Sequence, residues 1–224
     1  MRIRKILSIF SSFFLVVCMG AYVQAAPPDK DSNDAYWWWG DSAGGSRIVR
    51  TDKGISGNIS VHLANESGSA KGLAVTLWIV IFNNPGACAV PNMCGDDADF
   101  GNPDVMPDVV YGGGNVVGAS ERTTIGFHYK TGQNEGSIAD IFFLPLNAEG
   151  EGFGLLNSRG AEVHYVLRFH GPVNPAAMPG QIQGYGGGCV DFAPYGYPFP
   201  TGSDDLYLGP GQCQDVIFAI NSPP

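Results

Sequence analysis

Basic residues are scarce in this chain. It has 12 Lys and Arg against 21 Asp and Glu in 224 residues. Three of the twelve, Arg2, Arg4 and Lys5, sit in an N-terminal leader that carries no acid, so the remainder holds 9 against 21, a formal charge of −12. Such a surface suits neither nucleic acid nor an anionic membrane. Long apolar runs are also missing. Ile6–Val17 is too short for a comfortable membrane span, and no later segment exceeds it. Metal-site spacings are missing too: the chain has no H-x-H pair, no HExxH and no C-x₂-C. Long helices are discouraged by the 32 glycines and 16 prolines spread along it.

The leader itself is informative. A basic start, the apolar run and Val23-Gln24-Ala25 describe a secretory signal peptide over residues 1–25, cut before Ala26. Val17 before Cys18 argues against lipidation. Removing 25 of 224 residues leaves 199, enough for one domain, and secretion or a periplasmic address follows. Residues 26–35 are polar and contain proline, which predicts a flexible leader before a single β domain over 36–224. Four cysteines remain: Cys88, Cys94, Cys189 and Cys213. An even count in an exported chain reads as two disulfides, and the local pairings Cys88–Cys94 and Cys189–Cys213 are preferred among the three possible.

What is plentiful is short alternation between turns. Gly160–Pro172 puts Val163, Tyr165, Leu167 and Phe169 on one face and Glu162, His164, Val166, Arg168 and His170 on the other. Ser46–Thr51 and Ile55–Leu63 read as a hairpin, with Ile59, Val61 and Leu63 inward. Gly72–Asn83 is an apolar stretch suited to a strand covered on both faces. Val109–Tyr111, Asn115–Val117 and Glu121–Lys130 are further candidates, Ser137–Leu146 is either a strand or a short helical turn, and Asp215–Asn221 closes the domain with Val216, Phe218 and Ile220 on one face. The fold class is therefore all-β: an antiparallel β-sandwich or flattened barrel of roughly eight to ten strands.

Candidate sites fall into four groups. Tyr36 and Trp37, Trp38 and Trp39 are either a binding platform or a strand whose alternate rings dock on the core; the second reading is favoured because aromatics are commonly buried. Arg168 and His170 join the binding candidates. His62, His128 and His164 share the polar phase of three strands and could hold a transition metal, with Glu162 and His164 as candidate acid–base residues. The plainer reading gives these histidines only solvent and backbone contacts. His164 and His170 are about 20 Å apart along an extended strand and cannot share an ion unless it bends. Asp97, Asp99 and Asp104 lie in an acidic loop able to take calcium, although Gly101 and Asn102 spoil an EF-hand frame. Gly40-Asp41-Ser42-Ala43-Gly44 matches G-x-S-x-G but has no strand–turn–helix context, and reads as a turn.

The segments VTLWIVIFNNPGAC, NVVG, SRGAEVHYVLRFHGP and GGC…CQDVIFAI resemble a group of exported bacterial proteins without an assigned activity. The resemblance spans most of the mature chain. It implies an exported single domain with structural cysteine pairs and carries no chemistry. The expected function is a binding or interaction module for a ligand, a glycan or a protein. The alternatives are a metal-dependent enzyme with a histidine-lined site and a calcium-ordered interaction domain.

Overall fold

The computed structural model describes residues 26–38, 40–64, 69–189 and 213–224. The expected signal peptide, Trp39, residues 65–68 and residues 190–212 lie outside the described residues. Eight antiparallel strands form one sheet: β1 (Asp29–Trp37), β2 (Ser42–Thr51), β3 (Gly54–His62), β4 (Leu73–Phe82), β5 (Pro107–Val116), β6 (Arg122–Lys130), β7 (Glu162–Pro172) and β8 (Gln214–Asn221). Their spatial order is β5-β4-β7-β8-β1-β2-β3-β6. The two outer strands, β5 and β6, are consecutive in sequence and come together, with Asn115 Nδ2 donating to Thr123 Oγ1 at 3.0 Å. The sheet thus curls into a nearly closed barrel, and the flattened-barrel form of the expected fold is the one adopted.

Inward parity builds the core. Ile48, Ile59, Val61, Leu77, Ile79, Val163, Tyr165, Leu167 and Phe169 fill the barrel. A second apolar cluster lies outside the barrel wall, where Trp78, Val80 and Phe82 of β4 meet Cys88, Cys94, Val105, Leu144 and Tyr185. These covering residues come from the irregular segments that follow β4, β6 and β7. Hence β4 is buried at every position, as its unbroken apolar sequence requires. Among the described residues the opposite wall has no such coat, and Ser60 and His62 of β3 and His128 of β6 are exposed along it.

Several expectations are corrected. Residues 29–35, expected to be a flexible leader, are strand: β1 pairs with β2 from Asp29↔Arg50 onward, and the neighbour overrides the weak propensity of Asp-Lys-Asp-Ser-Asn-Asp. The hairpin strand β2 starts at Ser42, four residues earlier than expected, so Ser42 of the G-x-S-x-G match begins a strand. The two pieces expected at 109–111 and 115–117 form one strand running through Gly112–Gly114. Residues 137–146 form turns, with an isolated bridge at Val110↔Ser137.

Packing inside the barrel is close at Gly57. A Cβ there would overlap the Tyr165 hydroxyl and stand 2.7 Å from the Arg47 carbonyl oxygen, the same oxygen that the Tyr165 hydroxyl bonds at 3.1 Å. Gly57→Ala is expected to destabilise the fold by about 1–3 kcal/mol through overpacking. A urea midpoint within error of the parent would refute this.

Candidate functional site

The expected alternation of β8 does not survive pairing. Arg168 pairs with Asp215 but Leu167 pairs with Ile217, leaving Val216 as an extra residue. A one-residue slip exchanges the faces of a strand. Ile217 and Ala219 therefore point into the barrel, while Phe218 and Ile220 point out. Val216 is buried in the core as expected, but Phe218 and Ile220, expected on the same face, are turned outward.

The slip creates a surface feature. Register places Phe218 beside Tyr36 on one side and Val166 on the other. The Tyr36 and Phe218 rings lie 6.2 Å apart, and Trp38 meets Phe218 edge-on at 5.5 Å. Tyr36, Trp38 and Ile220 are 37%, 43% and 42% exposed. The result is an aromatic ledge on the outer face of β8 and β1, adjoining the coated part of the wall. Its Tyr36 hydroxyl donates to Asp34 Oδ2 at 3.2 Å, and this hydrogen bond raises the phenol above its ordinary pKa. Trp37 faces inward, edge-on to Phe169 at 6.4 Å, and is not part of the ledge. The alternate docking of Trp37 and Trp38 follows strand parity.

The polar face of β7 is mostly covered. Arg168 is buried and clamped: Nη1 donates to Asp215 Oδ1 at 2.9 Å and to the Tyr185 hydroxyl at 3.0 Å, and Nε donates to the Tyr185 carbonyl at 3.0 Å. His170 is buried between Thr76 Oγ1, 2.7 Å from Nε2, and the Gly187 carbonyl, 2.9 Å from Nδ1. Burial lowers its pKa to about 4, so the ring is neutral at ordinary pH. Neither residue presents a binding group to solvent from this position. Glu162 is also buried. Its Oε1 accepts from the Cys94 backbone N–H at 2.9 Å and meets His164 Nε2 at 2.7 Å, while Oε2 has no hydrogen-bond partner among the described residues. His164 packs edge-on to Phe82 and retains slight exposure. Glu162 and His164 thus form a dyad beneath the Cys88–Cys94 loop.

The three histidines expected to share a metal are not brought together. His62 pairs with Arg122 and His128 with Ser56, six residues or about 20 Å apart along the strands. His164 lies four strands away from β3. His128 Nδ1 instead meets Ser56 Oγ at 2.8 Å. Among the described residues, one group of three ligand-bearing side chains has its ligand atoms within 4.8 Å: His170, Cys189 and Cys213. Both expected disulfides, Cys88–Cys94 and Cys189–Cys213, are formed.

The acidic loop is organised by backbone rather than arranged around a cation. Asp99 is buried, and its carboxylate accepts from the N–H groups of Ala89 (2.6 Å), Gly95 (2.8 Å) and Asp96 (3.0 Å). Burial pushes this carboxyl up, but the three donors outweigh it and its pKa falls below the ordinary value. Asp97 and Asp104 are exposed, and neither belongs to a ligand group with Asp99. Asp99→Ala is expected to cost about 2 kcal/mol by leaving backbone donors unpaired, whereas millimolar calcium should leave the parent's melting temperature unchanged. A calcium-dependent rise that Asp99→Ala abolishes would contradict the second statement, and an unchanged urea midpoint for Asp99→Ala would contradict the first.

No family model, curated protein or solved structure matches this chain. Among the described residues, no helix is long and apolar enough to cross a membrane.

Proposed function

We propose that this protein is an exported binding domain and that its contact surface is the Tyr36–Phe218–Trp38 ledge. The supporting observation is two exposed aromatic rings, Tyr36 and Trp38, packed on either side of a half-buried Phe218, since clustered apolar exposure marks interaction sites. A neutral polysaccharide is the ligand class favoured. Asp34 is the charged neighbour on β1, which gives the ledge nothing to pair an anion with. Half-open rings bearing polar handles suit a surface that alternates C–H and O–H groups. The exported setting rests on the leader, on the resemblance to exported bacterial proteins and on the compatibility of two disulfides with an oxidising compartment.

Depletion from solution by cellulose, by chitin and by soluble starch tests this reading. Retention on at least one is expected, with a loss of at least tenfold in affinity for Tyr36→Ala/Trp38→Ala at an unchanged melting temperature. Retention on none, or retention indifferent to the double substitution, would overturn it. Binding to a protein through the same rings would preserve the surface and replace the ligand class. The alternative of a histidine-lined metal-dependent enzyme is less favoured, because only His164 of its three ligands has a carboxylate partner.

A further inference from the structure

Three candidates stand apart from the ledge: the shallow acidic cleft lined by Glu135, Asp140 and Glu151, the Glu162–His164 dyad, and the imidazole beside the second disulfide. The first is a cluster of acids without a second observation. The second offers one imidazole and no reacting partner. The third has converging ligands.

His170 Nδ1 lies 3.6 Å from Cys189 Sγ and 3.6 Å from Cys213 Sγ. A tetrahedral zinc with bonds of about 2.3 Å to sulfur and about 2.05 Å to nitrogen requires an N···S edge of about 3.6 Å and an S···S edge of about 3.8 Å. Both N···S edges are therefore already at metal-site length in the disulfide form. Only the sulfur–sulfur edge is too short, because the two atoms are covalently bonded. We propose that Cys189, Cys213 and His170 form a redox-gated site for a thiophilic d¹⁰ cation, Zn²⁺ or Cu⁺, closed as the disulfide and opened by reduction. This is independent of the ledge and of what it binds.

The surroundings are built for it. Nδ1 carries the hydrogen in the closed form, where it donates to the Gly187 carbonyl. In the metal form that hydrogen must move to Nε2, and the Gly187 carbonyl, which lies along the same Nδ1 direction, must turn aside. Thr76 Oγ1 sits 2.7 Å from Nε2 and also accepts from Trp78 Nε1 at 2.8 Å. A hydroxyl can donate to a bare Nε2 or accept from a protonated one, so the same neighbour orients both tautomers. Among the described residues, the ionic groups acting on His170 are Arg168 and Asp215, which are paired with each other at 2.9 Å. Both cysteines are partly exposed, so reductant and metal can reach them, while the imidazole is held from behind. Three protein ligands leave a fourth position for water or an exchanging partner.

The chemistry balances with an external dithiol. Its two thiols exchange with Cys189–Cys213. The dithiol becomes a disulfide, losing two electrons and two protons, and the cysteines become two thiols. Zinc then binds two thiolates and releases two protons to solvent.

The test uses the mature chain reduced with dithiothreitol, desalted without oxygen and titrated with Co²⁺ as the optical stand-in for Zn²⁺, with Cu⁺ in a parallel arm. One equivalent of Co²⁺ with a thiolate charge-transfer band is expected, displaced by Zn²⁺ and absent from the oxidised protein. Zn²⁺ binding should release two protons. Cys88→Ser/Cys94→Ser should retain the site and Cys189→Ser/Cys213→Ser should lose it. X-ray absorption of the zinc form should show two sulfurs and an imidazole, a readout that needs no folded His170 variant. Binding only in the Cu⁺ arm assigns the site to copper. Absence of stoichiometric binding in both arms, survival of binding in Cys189→Ser/Cys213→Ser, or a sulfur shell without imidazole would each overturn the proposal. If the reduced chain unfolds, metal must restore its circular dichroism; failure to do so counts against the site equally.

Discussion

Arg168→Ala is expected to destabilise the protein by about 3 kcal/mol. Removing one member of a buried ion pair typically costs about 3–5 kcal/mol, because the survivor keeps its desolvation without its partner. The low end applies here: the Arg168 side chain is 2% exposed, but that of Asp215 is 29% exposed and can rehydrate. The loss is more than Coulombic. The guanidinium also lies over the Tyr185 ring, 3.9 Å from its centroid, and donates to the Tyr185 carbonyl, and the substitution removes both contacts. The same side chain therefore ties the segment around Tyr185 to the barrel wall. Urea unfolding of the single variant gives the number. Adding Asp215→Asn should recover part of it, since the stranded carboxylate is then removed. A loss below 1 kcal/mol would show that Tyr185 and its neighbours hold without the clamp.

Acid should weaken the fold through His170. Its folded pKa, about 4, is below the ordinary 6.5, mainly because burial disfavours the imidazolium. Between these values the unfolded chain binds a proton that the folded one refuses. Stability is then greatest above pH 6.5 and declines as pH falls towards about 4, by about 3 kcal/mol in all. Asp108 opposes this: burial raises its pKa, so its protonation favours the folded state on the acid side. Asp99 reinforces the loss at lower pH, where its depressed pKa is crossed. The difference between parent and His170→Gln isolates the imidazole. Stability curves that run parallel from neutral pH to pH 4 would contradict the assignment.

Which parts of this were legible in sequence follows from what alternation can encode. Val163, Tyr165, Leu167 and Phe169 alternate without interruption, and all four are buried in the barrel. The unbroken apolar run of β4 announced a strand with no solvent face, and the cysteine spacing announced two local bridges. Alternation assigns Glu162, Arg168 and His170 to the outer face, but it says nothing about whether that face is open. The coat over it comes from turns around Cys94, Leu144 and Tyr185, which carry no period. The ledge was hidden for a different reason. Phe218 reads as core until Val216 is recognised as an extra residue, and the bulge depends on the partner strand. The first strand was concealed by six polar residues that β2 alone makes extended.

The position of β8 has a consequence for how the chain must be made. The strand spans Gln214–Asn221, yet it lies between β7 and β1, joining the start of the described chain to its end. A chain emerging from its N-terminus can form the β2–β3 hairpin and pair β4 with β5 early, but β1 has its second neighbour only after residue 214 has appeared. Until then the wall has a gap one strand wide, with unpaired backbone on β1 and β7 facing it. Such a chain is slow to commit to its final form during synthesis, because its closing contacts join residues far apart in sequence. Loss of the last dozen residues would accordingly be no trimming of a tail. It would leave a split cylinder whose two raw edges invite a strand from another molecule.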